Sequence, residues 1–151
     1  MFLIQDNREQ RSKTIRSLIE KDLSLAALAA VADFEWTYHR CILALGKSPT
    51  RTIRENILPT ASFKDYTRIW NEEVYPRVKR RLKEFCFGDS QFFSLRNRIV
   101  HGELHELGFM KFEYGKKDVE EILLASERLT EFAAEYNDPL YDKRIIRYSS
   151  R

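Results

Sequence analysis

Residues Leu23–Gly46, LSLAALAAVADFEWTYHRCILALG, decide the fold. Leu23, Ala27, Ala30, Phe34, Tyr38, Ile42 and Leu45 recur at steps of three and four, which places them on one face of an α-helix. The alanines between positions 26 and 32 favour helix and let a neighbouring element approach closely. Gly46 stands where a C-terminal cap belongs, and Pro49 follows it. Upstream, the helical text continues unbroken to about Asn7, so the stretch from about Asn7 to Leu45 reads as one block.

Downstream the same period returns. Thr50 can cap a short helix through Leu58. Ser62, with Asp65 three residues on, can cap a longer one bearing Phe63, Tyr66, Ile69, Trp70, Val74, Val78, Leu82 and Phe85. Pro76 falls inside that pattern and should kink or split it. Asp89 or Ser90 opens a helix with Phe92, Leu95 and Ile99 on one face, ended by Gly102. The segment Leu107 to Tyr114 alternates weakly and is expected to be a short extended excursion. Asp118 with Glu121 reads as the capping box of a last helix to about Tyr136, with Val119, Ile122, Leu123, Leu129, Phe132 and Ala133 facing inward. The expectation is an all-α chain: one domain over residues 1–151, a bundle of antiparallel helices joined by short connections.

Composition agrees with this. The chain has 151 residues, 43% hydrophobic and 32% charged, which suits one folded domain with its own core. Its 5 Gly and 4 Pro are too few for the turns of a β-sandwich. A net charge of +3 permits a nucleic-acid partner without requiring one. Cys41 and Cys86 lack metal-ligand spacing and read as reduced thiols of a cytoplasmic protein. The opening MFLIQDNREQRS is too short an apolar run for a signal peptide, and no stretch has the length of a membrane span.

Chemistry concentrates in Ser94-Leu95-Arg96-Asn97-Arg98-Ile99-Val100-His101-Gly102. On a helix Asn97 and His101 lie about 40° apart around the axis, one turn from each other. Arg96 and His101 lie about 140° apart in a straight helix, so their convergence needs the last turn to fray, and Gly102 gives it a place to do so. Arginine grips phosphate with a planar fork. Histidine takes and returns a proton near neutral pH. Asparagine can hold an imidazole tautomer or a phosphate oxygen. These groups suffice for RNA cleavage by the ribose 2′-hydroxyl. A helix C-terminus also favours Arg and His through its dipole, which is the structural alternative.

The run Arg96-Asn97-x-x-x-His101, on the penultimate helix of an all-α chain of this size, resembles the HEPN superfamily of nucleotide-binding helical domains. That family's signature is an Arg, a polar residue directly after it, and a His after four to six intervening residues. Leu95, Ile99 and Val100 also resemble the family around the motif. The resemblance implies a bundle of four or five helices and a homodimer whose two motifs form one composite cleft. It implies a metal-independent endoribonuclease, of toxin or phage-defence type, with no metal or organic cofactor. His101 would be the general base or acid, Arg96 the phosphorane stabiliser and Asn97 an orienting group. RNA is the implied substrate, and a cognate antitoxin or regulatory protein the implied partner. Silent members of the family bind nucleotides or proteins instead. One toxin branch carries a Tyr two residues after the motif His; Glu103 stands there in this chain.

Other features are less specific. Arg98 and His105 form a second, looser pair, interrupted by Gly102. Arg77, Lys79, Arg80, Arg81 and Lys83, with Phe85 close by, form either a solvated helix face or a phosphate track for RNA, to which Arg98 would add. The tail Lys143–Tyr148 is basic and aromatic and offers a second RNA contact or a terminal helix. Glu35 and His39 flank Trp36 as a polar stripe or a dimer contact, while Tyr38 and Tyr66 read as core. His101 and His105 do not share a helix face across Gly102, so no metal site is expected. From His101 to Glu135 nine acidic residues meet four basic ones, so this segment should face away from RNA.

Overall fold

A computed structural model describes residues 8–47, 64–86 and 115–136. Among them the chain is all-helical, without a strand. Five α-helices are present among these residues: α1 (Arg8–Lys21), α2 (Leu23–Leu45), α3 (Lys64–Glu73), α4 (Tyr75–Val78) and α5 (Lys116–Glu135). A 3₁₀ turn covers Leu82–Glu84. None of these helices is long and apolar enough to cross a membrane. The expected elements over Thr50–Leu58, Asp89–Gly102 and Leu107–Tyr114 lie outside the described residues.

The single block expected from Asn7 to Leu45 is two helices. Asp22 separates them, with φ −153° and ψ 96°. Its carboxylate accepts from the Leu25 amide at 3.1 Å and so caps α2. The hydrophobic period runs straight through this residue, so periodicity alone could not reveal the break. The physical cause is the short polar side chain, which competes for backbone amides of the first turn. The chain reverses there, and α1 lies back along α2: Arg8 donates to Thr37 and pairs with Asp33.

The core is built around α2. Ala26, Ala27, Ala30, Phe34, Tyr38, Cys41, Ile42 and Leu45 are buried, and α5 contributes Val119, Ile122, Leu123, Ala125, Leu129 and Ala133. The alanines allow the close α2–α5 contact, and the Cys41 thiol reaches the Leu129 carbonyl. Helix α1 covers one side with only Ile15, Ile19 and Ser12 fully buried. It is fastened mainly by charge. Arg8 and Arg11 converge on Asp33, whose side chain is 4% exposed. Arg16 bridges Glu120 and Glu127 of α5, both at 2.7 Å, and Lys116 meets Glu20. These pairs set α1 antiparallel to α5, so α2 and α5 run in the same direction. Helix α1 is therefore antiparallel to both α2 and α5, while α2 and α5 are parallel to each other.

The helix expected from Ser62 to Phe85 is split, as Pro76 required. Proline has no N–H for the Glu72 carbonyl, so α3 stops at Glu73 and α4 restarts with Pro76 in its first turn, where no N–H is needed. A second break follows at Lys79, which has φ 56° and ψ 29°. The segment then turns inward, and Leu82 and Phe85 are buried after all. The last helix starts two residues before Asp118. Gly115 is the cap position, and Asp118 reaches back to accept from its amide at 2.8 Å.

Candidate functional site

Arg96, Asn97 and His101, with Arg98 and His105, lie outside the described residues, as does the Lys143–Tyr148 tail. The basic segment Arg77–Lys83 is described. Three helix C-termini converge on it. The Lys47 amide donates to Glu73 of α3, Arg77 Nη1 donates to the Leu45 and Gly46 carbonyls of α2 at 2.7 and 3.3 Å, and the Tyr136 hydroxyl beyond α5 donates to the Arg77 carbonyl. Helix C-termini carry free carbonyls and the negative end of the dipole, which draws cations. Gly46 is required here for space. Its backbone is extended, with φ −69° and ψ 151°, and a Cβ would lie 2.7 Å from the Ile42 carbonyl oxygen.

These interactions divide the cluster. Arg77 is committed to the end of α2. Arg80 pairs with Glu84 at 2.8 Å, its guanidinium lies over the Phe85 and Phe132 rings, and its carbonyl accepts from the Trp70 indole. Lys79, Arg81 and Lys83 are exposed and form no ion pair among the described residues. Lys79 and Arg81 both lie over the Tyr75 ring, at 5.6 and 4.4 Å from its centre. Arg77, Lys79, Arg80, Arg81 and Lys83 do not share one continuous helix face, because the left-handed Lys79 ends α4.

Sequence reasoning passes over two other polar clusters. Asp33 is an acid set between the alanine-rich stretch and Phe34, and that apolar setting is the available signal of a buried ion pair. Beside it Trp36 carries the Arg11 and Arg40 guanidiniums at 4.0 and 3.4 Å. A cavity of about 460 Å³ opens between α1 and α5, lined by Arg8, Ser12, Arg16, Glu127 and Glu131 among others. Burial works to raise the Glu127 pKa, and the Arg16 guanidinium, together with the Ser12 hydroxyl and the Arg8 charge, outweighs it, so the carboxyl stays below its usual range. The charge of this cavity is mixed, and it presents no constellation of nucleophile and base.

A third cluster joins the residues that the sequence reads as core to the polar stripe beside them. Tyr38 and Tyr66 are buried, and His39 Nε2 lies 3.2 Å from the Tyr66 hydroxyl. Burial lowers the His39 pKa, against an opposing pull from Glu35. Burial likewise pushes the Tyr38 hydroxyl and the Cys41 thiol up, so neither ionises near neutral pH.

No protein-family model, curated protein or solved structure matches the chain.

Proposed function

We propose that the chain is a metal-independent endoribonuclease of HEPN-like type, acting as a homodimer. The observation that carries this reading is Arg96-Asn97-x-x-x-His101 in a helical chain. One His101 takes the proton of the ribose 2′-hydroxyl, and that oxygen attacks the adjacent phosphorus. Arg96 stabilises the charge on the phosphorane, and Asn97 orients it or the imidazole. The 5′-oxygen leaves with a proton from the second His101, which gives a 2′,3′-cyclic phosphate and a 5′-hydroxyl. A two-fold axis supplies both an acid and a base from one residue type, which a single copy lacks. The cations Lys79, Arg81 and Lys83 support an RNA substrate, since they carry positive charge that no ion pair among the described residues uses. A toxin or defence effector, restrained by an antitoxin or regulatory protein, is the setting this chemistry suits.

The test is cleavage of an RNA panel with a chelator present. Wild type should cut RNA and spare DNA, and His101→Ala should lose about 10²-fold in rate. If the panel stays intact while a nucleotide binds in a manner dependent on Arg96 and His101, the chain is a binding module instead.

A further inference from the structure

The α1–α2 connection consists of Asp22 alone. Both hydrogen-bond ladders run up to it: the Asp22 amide donates to Leu18 and the Asp22 carbonyl accepts from Ala26. Neither Gly nor Pro stands near it, and the flanking Leu18-Ile19-Glu20-Lys21 and Leu23-Ser24-Leu25-Ala26 are good helix formers. Rotation of this one residue into helical geometry would fuse α1 and α2 into a single rod from Arg8 to Leu45. The Leu23, Ser24 and Leu25 amides would then donate to Ile19, Glu20 and Lys21. What opposes the rod is the Asp22 cap and the docking of α1, which rests on ion pairs and few apolar groups.

From this we infer that the chain exchanges α1 with a second copy of itself. In the exchanged dimer each α1 lies on its partner's α2 and α5. Arg8 and Arg11 reach the partner's Asp33, and Arg16 reaches the partner's Glu120 and Glu127, so the ion pairs of the closed hairpin re-form. A short hinge loop is a usual setting for such exchange. A second observation names the same occupant. Leu25 and Leu28, 50% and 48% exposed, are the exposed large hydrophobics among the described residues. They sit in the first two turns of α2, beside the hinge, where two straightened rods must cross. Exchange covers them with a second copy's hinge. The inference rests on the hinge and not on the nuclease reading, so exchange and RNA cleavage succeed or fail separately.

The experiment places spin labels at Glu9→Cys and Lys47→Cys, both exposed, in full-length protein. Cys41 and Cys86 are buried and will label poorly. Labelled chains are diluted into excess unlabelled protein before refolding, so the distance read is within one chain. The hairpin holds these positions about 20 Å apart, and the rod about 57 Å apart. We expect a dimer that grows with protein concentration and carries the long distance. Asp22→Ala should raise its fraction several-fold, because the cap is removed. Leu28→Asp should lower it while the monomer stays folded, and a Gly-Ser-Gly insertion after Asp22 should abolish it. A dimer showing only the short distance, or a chain that stays monomeric in the Asp22→Ala variant at high micromolar concentration, overturns the inference.

Discussion

Tyr38 and Tyr66 stack face to face, with centroids 4.2 Å apart and planes 6° from parallel, while the Tyr38 hydroxyl donates to the Tyr66 carbonyl at 2.9 Å. One side chain thereby fixes both the ring and the backbone of α3 against α2. Tyr38→Phe keeps the stack and loses the hydroxyl's hydrogen bond, at a cost of about 1 kcal/mol. Tyr38→Ala removes the ring and should cost about 3–5 kcal/mol. Urea unfolding midpoints of the two variants check this; equal losses would mean that the hydroxyl, not the stack, holds α3.

His39 gives the fold a pH dependence of definite sign. Its pKa is lowered in the folded state, chiefly by burial. Above the unfolded value of about 6.5 both states are neutral and stability is unaffected. As pH falls below that value the unfolded chain takes up the proton first, and stability declines until the folded pKa is passed. His39→Gln should flatten the stability profile from about pH 6.5 downward, read as thermal midpoints across pH.

The divided basic segment predicts two different phenotypes. Replacing Lys79, Arg81 and Lys83 together with Ala should weaken RNA binding for all sequences. It should reduce the salt slope of the binding constant by about 0.7 for each phosphate that is no longer neutralised, with only the small loss of stability that the exposed contacts over Tyr75 carry. Arg77→Ala should instead destabilise by about 1–3 kcal/mol, because it strands the Leu45 carbonyl. Parallel salt titrations and denaturation curves separate the two.

Arg96→Lys tests the catalytic reading at its most specific point. Lysine keeps the charge and lacks the planar fork, so it should restore only part of the activity that Arg96→Ala removes. Arg98→Ala should be milder than either. If Arg98 and His105 prove essential while Arg96 and His101 do not, cleavage assays will have moved the site to the second pair.

The helical class and the α2 and α5 faces are readable in the sequence, because three- and four-residue spacing reports burial directly. Pro76 announces its split for the same kind of reason: a missing N–H is visible in the residue itself. Asp22 and Lys79 are not readable. Asp22 interrupts no hydrophobic period, so the cap its side chain makes is hidden within helical text, and Lys79 carries no sign of a left-handed backbone. The basic segment is visible as charge, but its division is not. The commitment of Arg77 depends on the distant C-terminus of α2, which no local pattern encodes.

The two tryptophans divide the molecule into separately observable halves. Trp70 is fully buried, its indole tied to the Arg80 carbonyl, and it should emit at short wavelength, resistant to acrylamide. Trp36 is partly open to solvent under the Arg11 guanidinium of α1, and its emission should respond to that helix. Trp70→Phe therefore leaves a fluorophore that watches α1 alone, and Trp36→Phe one that watches the α3–α4 junction. Departure of the first helix becomes an optical signal that precedes, or coincides with, collapse of the core.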